Sequence, residues 1–132
     1  MLQVREHWRP FIASGEKTQT RRPWKRPPKL GGIYECRESP KSPLIAKVRI
    51  KRLWREFLGD ISEADAHAEG YPTREELITH FCETYARRRG LGMPARWWKQ
   101  HLAEILNGAG RGPEVWCIEW EVVELPSTKS AQ

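Results

Sequence analysis

The chain has 132 residues and a mass of 15.4 kDa, the size of one ordinary domain. Its 39% hydrophobic and 30% charged residues are typical of a folded globular protein and argue against a disordered one. No stretch approaches the roughly 20 apolar residues of a membrane helix, and the N-terminus lacks the apolar block of a signal peptide. We therefore expect a cytoplasmic protein, with a monomer favoured.

The charge is positive and unevenly distributed. The net charge is +6 and the isoelectric point is about 9.5. The segment 17–29 contains no acidic residue and carries six basic ones, namely Lys17, Arg21, Arg22, Lys25, Arg26 and Lys29. A local excess of positive charge favours an anionic partner such as nucleic acid. The alternative is a solvated basic loop that only aids solubility.

The first third of the chain predicts a short strand at 2–4 and a short helix at 6–14 that Gly15 ends. The prolines and glycines between 16 and 32 predict a long irregular surface loop. Long loops in small domains often carry function.

The middle of the chain predicts two strands, at 33–38 and 44–54, joined by a turn. Apolar residues alternate along the second strand, so one face is buried. Its other face is predicted to be wet and basic and carries Lys47, Arg49 and Lys51.

The remaining elements are three helices and a last strand. Ser62 caps a short helix that Gly70 stops, and Thr73 opens a capping box for the next helix. A further helix is predicted over 94–106 and a strand over 115–123. This order lacks regular βαβ alternation and predicts an α+β fold, a small mixed sheet or barrel with peripheral helices.

The cysteines do not indicate a disulfide framework or a metal site. Cys36, Cys82 and Cys117 are far apart in the sequence, so we expect three reduced thiols and no metal or other cofactor. His67 and Glu69 match half of the zinc deaminase signature. The second half, P-C-x-x-C, is absent, so zinc chemistry is not expected.

Three features are candidates for chemistry or binding. Lys17, crowded by cations, is expected to have a lowered pKa if it is buried, so that it accepts a proton near neutral pH; the alternative is an exposed basic turn. Glu69 ends a helix, where it either orients Lys17 or is simply solvated. Trp24 lies within the basic loop, where it either stacks on bases or anchors the loop to the core.

The motif K-T-x-T-x-R, from Lys17 through Thr20 to Arg22, resembles the opening motif of the ASCH domain, a PUA-like fold. The resemblance extends over most of the chain. Phe11, Ile12 and Gly15 precede the motif, and the basic loop, Gly31-Gly32, the strand pair, Glu69-Gly70 and the last strand follow it in the family's order. It implies a single PUA-like domain over 1–125, a small mixed β-barrel with peripheral helices, followed by a flexible tail at 126–132.

One branch of this family hydrolyses N(4)-acetylcytidine to cytidine and acetate. The resemblance implies that Lys17, Thr20 and Glu69 are the catalytic set. Thr20 would attack the acetyl carbonyl or activate water, Lys17 would move the proton, and Glu69 would hold and polarise Lys17. Arg22 would stabilise the oxyanion or bind the substrate.

Two other functions stay open at this stage. In an RNA-binding module without turnover, Arg21, Trp24, Lys25 and Arg26 would carry the affinity. In a ribonuclease, cleavage would need a metal ion or a general base, for which the candidates are His67, His80 and Glu69. The expected partner in every case is a nucleoside or RNA. The chain departs from the small amidohydrolases by its proline-rich basic insertion, 23–29, and its longer helical stretch between Gly70 and Gly112.

Overall fold

The protein is described by a computed structural model of residues 1–127. The predicted tail falls mostly on 128–132, which lie outside the described residues. The strands are β1 (Leu2–Gln3), β2 (Gln19–Arg22), β3 (Ile33–Arg37), β4 (Ala46–Phe57) and β5 (Glu114–Glu124). The α-helices are α1 (Arg9–Ser14), α2 (Glu63–Ala68), α3 (Arg74–Arg88) and α4 (Ala95–Leu106). Short 3-10 turns occupy Glu6–Trp8, Leu58–Asp60 and Gly90–Gly92.

The strands form one mixed sheet in the order β1-β3-β4-β5-β2, curled into a half-barrel. The β1–β3 pair is parallel and the other three pairs are antiparallel. One side chain links the two edge strands, because Nη2 of Arg22 donates a hydrogen bond to the carbonyl oxygen of Gln3 at 3.1 Å. The expected α+β fold with peripheral helices is confirmed.

The prediction of an irregular loop over 16–32 is wrong for its first part. Residues 19–22 form β2, whose partner is β5, with Thr20 opposite Ile118. Gln19, Thr20 and Arg21 are buried although all three are polar. Apolar periodicity does not reveal such a strand, because its burial depends on hydrogen bonds and ion pairs supplied by distant residues.

The outward face of β4 is exposed at Arg49 and Lys51, as the alternation predicts, but most of its positive charge is paired. Four ion pairs join it to β5, namely Lys47–Glu124 at 3.5 Å, Arg49–Glu121 at 3.0 Å, Arg52–Glu119 at 3.9 Å and Arg55–Glu114 at 2.7 Å. Cross-strand neighbours of opposite charge attract each other. This face is therefore largely neutralised by its own sheet.

Two apolar clusters flank the sheet. One packs α1 against the half-barrel around Ile12, Ile50 and Trp120. The other packs α3 and α4 against the opposite end of β4 and β5 around Ile78 and Trp98. The register of β4 shifts between Ile50 and Arg52, which breaks the period of two. After this shift Leu53 packs against the first cluster and Trp54 against the second.

The helix boundaries agree with the local signals. Oγ of Ser62 accepts from the Asp65 amide, and Oγ1 of Thr73 accepts from the Glu76 amide, as expected of N-caps. Gly15 ends α1 with a φ of 84°. None of the helices within residues 1–127 has the length and apolar character needed to span a bilayer.

Candidate functional site

A cavity of about 210 Å³ lies where the half-barrel meets the helices. Lys17, Thr20, Arg21, Arg22 and Glu69 all line it. The structure therefore brings together five of the residues that the motifs single out, although Lys17 and Glu69 are 52 positions apart. The helical side of the cavity adds Tyr71, His80, Phe81, Thr84, Tyr85 and Arg88.

Lys17 is buried, with 3% of its surface exposed. Its Nζ donates to the carbonyl oxygens of Gln19 at 2.9 Å and Glu69 at 2.8 Å. The second bond satisfies a carbonyl at the C-terminal end of α2, where a cation is favoured. Burial lowers the pKa of Lys17 to about 8; the charge of Glu69 opposes this shift, and Arg22 and Arg21 add to it.

An ammonium group has three N–H donors, and two of those on Lys17 are used by carbonyl oxygens. When the third proton leaves, a lone pair takes its place while both carbonyl contacts persist. The amine is thus held in one orientation in both protonation states. With a pKa of about 8, both states are populated near neutral pH.

The carboxylate of Glu69 contacts Arg21 and not Lys17. Nη1 of Arg21 lies 2.8 Å from Oε2 of Glu69, whereas Lys17 bonds only to the main-chain oxygen of that residue. Arg21 is fully buried, and the same guanidinium lies 2.7 Å from Glu56 and 3.3 Å from Asp65. Burial acts to lower the pKa of Arg21, but its acidic partners raise it above the ordinary value.

Gln19 completes this buried network. Its amide oxygen accepts from Nη1 of Arg21 at 3.0 Å, and its amide nitrogen donates to Asp65 and Glu119. No motif in the sequence marks Gln19, Glu56 or Asp65 as part of a site. The absence of proline between 17 and 22 was the available signal for a strand there. Arg21 therefore holds the site together from within, whereas the sequence placed it among the substrate-binding cations.

Thr20 and Arg22 lie on the other face of β2. Nη1 of Arg22 donates to Oγ1 of Thr20 at 2.7 Å. The threonine oxygen is therefore an acceptor in this bond and keeps its own proton to donate. A guanidinium in this position stabilises negative charge that develops on the oxygen.

Aromatic rings form the wall beside the lysine. Nζ of Lys17 lies 4.7 Å from the centre of the Trp8 ring and 5.7 Å from that of Trp120. Trp8 packs edge-on against Tyr71, whose hydroxyl lies 2.5 Å from Nδ1 of His80. Burial raises the pKa of Tyr71, so the phenol is neutral and can donate to the imidazole. No motif in the sequence marks Trp8 or Tyr71 as part of the site.

The basic loop after β2 divides into a buried and an exposed part. Trp24 is half-buried and packs against the cluster around α1, which is the arrangement of a loop anchor. Lys25 and Arg26 are exposed. Neither has an ion pair within the described part of the chain.

The remaining candidates for metal or base chemistry are separate from one another. Among residues 1–127, no group of three or more His, Cys, Asp or Glu side chains is arranged to hold a metal ion. His67 is exposed and its ring bonds to the carbonyl oxygen of Pro72, whereas His80 lines the cavity. Cys36, Cys82 and Cys117 are buried as free thiols.

Comparison with solved structures defines the class of fold. The chain is similar to protein EF3133 from Enterococcus faecalis V583, of the DUF984 family, with a TM-score of 0.67 and 21% identity over 96% of this chain and 72% of that one. It is also similar to an ASCH domain from Lactobacillus crispatus JV V101, with a TM-score of 0.61 and 16% identity over 88% of this chain and 70% of that one. No family model and no curated protein matches the sequence.

These similarities identify a PUA-like fold of the ASCH type, as the K-T-x-T-x-R motif implied. The likeness concerns the fold, and a fold alone does not fix a function. The function therefore depends on the cavity and the groups that line it.

Proposed function

We propose that the protein is a hydrolase that removes the acetyl group from N(4)-acetylcytidine, as a free nucleoside or within RNA. The observation that carries the proposal is the buried Lys17 amine, which two carbonyl oxygens hold in a cavity that Thr20 also lines. A general base works best when its pKa is near the operating pH, and burial lowers the pKa of Lys17 to about 8.

In this mechanism Thr20 is the nucleophile or holds the attacking water. Lys17 accepts the proton that is released and passes it to the departing N4 amine of cytidine as the C–N bond breaks. Attack by water gives acetate directly, whereas attack by Thr20 leaves an acetyl ester on its Oγ1, which water then hydrolyses to acetate with Lys17 again as the base. Arg22, which already bonds to Oγ1 of Thr20, stabilises the negative charge of the tetrahedral intermediate. Trp8 and Tyr71 offer aromatic faces for the base.

The role of Glu69 differs from the one that the resemblance implies. Its main-chain oxygen holds the lysine, and its carboxylate binds the buried guanidinium of Arg21. Its negative charge also acts on Lys17 and partly offsets the effect of burial. We therefore assign Glu69 and Arg21 as positioning residues of the catalytic lysine.

The test is incubation with N(4)-acetylcytidine, with cytidine followed by chromatography. We expect Lys17→Met and Thr20→Val to lower kcat/KM by at least about a hundredfold, the usual contribution of a proton-transfer group. Thr18→Val is the matched control, because Thr18 is close in the sequence but does not line the cavity. Turnover that persists in both site variants, or no turnover by the wild-type protein, would exclude this mechanism.

RNA binding without turnover is the second candidate, and the exposed, unpaired Lys25 and Arg26 favour it. Each phosphate contact that is lost reduces the salt dependence of affinity by about one charge. We expect Lys25→Gln with Arg26→Gln to weaken RNA binding and to flatten its salt slope. The control is Lys47→Gln with Arg49→Gln. It removes the same amount of charge, but from side chains that already form ion pairs with acidic residues of β5. Equal effects of the two pairs would show that the basic loop is not the RNA surface.

A further inference from the structure

The cavity carries more positive charge than the hydrogen bonds of Lys17, Arg21 and Arg22 account for. The cavity is lined by five basic residues and two carboxylic acids. The basic residues are Arg5, Lys17, Arg21, Arg22 and Arg88, and the acids are Glu38 and Glu69. Lys17, Arg21 and Arg22 are all bonded to protein oxygens. Arg5 and Arg88 are exposed, and within residues 1–127 neither side chain has a hydrogen bond or an ion pair.

One face of α3 is directed toward this charge. His80, Thr84 and Arg88 are spaced four residues apart, so they lie in a row along the helix, and all three line the cavity. Thr84 is 8% exposed, and its Oγ1 has no hydrogen-bond partner among residues 1–127. A buried hydroxyl without a partner is unfavourable unless a ligand or water satisfies it.

Arg5 also lines the cavity and acts electrostatically on His80. Burial lowers the pKa of His80 below its ordinary value, and the positive charges of Arg5 and Arg87 add to this shift. Arg5 also acts electrostatically on Tyr71, the hydrogen-bond partner of His80. Arg5 and Arg88 therefore line the same cavity as His80 and Thr84.

We propose that Arg5 and Arg88, with the hydroxyl of Thr84, form a subsite for a phosphate group, so that the cavity takes a cytidine nucleotide in preference to a free nucleoside. The proposal rests on the proposed function only in taking cytidine as the base. Guanidinium groups bind phosphate through charge-assisted hydrogen bonds. The phosphate belongs either to a free nucleotide or to an RNA chain, and the chemistry of the subsite is the same for both.

Isothermal titration calorimetry of the intact protein tests this subsite with cytidine, cytidine 5′-monophosphate and a short RNA of cytidines. We expect the wild-type protein to bind a phosphate-bearing ligand about tenfold more tightly than cytidine, a modest gain because both arginines are exposed. The double variant Arg5→Gln with Arg88→Gln should lose most of this preference and keep its affinity for cytidine. Arg96→Gln is the control, because Arg96 is exposed on α4 and does not line the cavity.

The outcomes separate the two sources of phosphate and the two proposals. A preference for the monophosphate that depends on the arginines assigns the subsite to free nucleotides, and one confined to the oligonucleotide assigns it to RNA. Equal affinity for cytidine and both phosphorylated ligands, no binding of any of them, or a preference that survives the double variant overturns the subsite. Because the ligands carry no acetyl group, failure to hydrolyse N(4)-acetylcytidine refutes the hydrolase and leaves this measurement unaffected.

Discussion

The buried amine of Lys17 makes the stability of the protein depend on pH in a defined window. Its pKa is about 8 in the folded protein and 10.5 in the unfolded chain. Between these two values the unfolded chain binds more protons than the folded one, so the free energy of unfolding rises with pH. The contribution of Lys17 is fully present above pH 10.5 and is lost as the pH falls toward 8.

The difference of 2.5 between these pKa values sets the size of the effect. At about 1.4 kcal/mol for each pKa unit, the whole window corresponds to about 3 kcal/mol. Between pH 7 and pH 10 the expected change is about 2–3 kcal/mol. Other groups also titrate in this range, so the wild-type protein must be compared with Lys17→Met, which cannot ionise at this position.

The assay is urea unfolding of both proteins from pH 7 to pH 10. We expect the stability of the wild-type protein relative to Lys17→Met to increase by about 2–3 kcal/mol across this range. Lys25→Met removes an exposed lysine and reports the effect of losing one surface charge. A relative stability of Lys17→Met that does not change with pH would refute the reasoning. If Lys17→Met does not fold, NMR titration of the wild-type lysine side chains decides, and no lysine titrating near pH 8 refutes it.

Three other substitutions test the network around this amine. Glu69→Gln removes the charge that opposes the shift, so NMR titration should give Lys17 a pKa below about 8. Arg21→Met leaves buried Glu69 without its cation and should cost about 3–5 kcal/mol in urea unfolding. Gly70→Ala places a methyl group 2.4 Å from the indole of Trp8, the ring that contacts Lys17, at a residue whose φ is +96°. It should lower the melting temperature far more than the control Gly15→Ala, whose added methyl group meets nothing within 4 Å.

Each of these expectations has an outcome that contradicts it. A pKa for Lys17 in Glu69→Gln at or above the wild-type value would mean that the carboxylate does not act on the amine. A small cost for Arg21→Met, together with a cost for the double variant Arg21→Met with Glu69→Gln that equals the sum of the two single costs, would mean that the buried pair is not coupled. Equal effects of Gly70→Ala and Gly15→Ala would exclude the steric contact at Gly70, since both glycines have a positive φ.

Local chemistry allowed much of the fold to be read from the sequence. The caps at Ser62 and Thr73 and the stop at Gly15 act within a few residues, so they are visible in any short window. The alternation along the first half of β4 indicates a strand for the same reason. The prediction failed at β2, where polar side chains are buried, and beyond Ile50, where the register shift breaks the alternation.

The sequence by itself determined the helix ends, the apolar strands, the excess of basic residues and a motif that brought Lys17, Thr20 and Glu69 into consideration. Only the tertiary structure decided which atoms meet. It paired the carboxylate of Glu69 with Arg21, and it joined Lys17 to main-chain oxygens. Periodicity reports which side of an element is apolar. The partner of a buried charge depends instead on how distant segments pack. Only that packing supplies the ion pairs and hydrogen bonds that offset the free-energy cost of burying these charges.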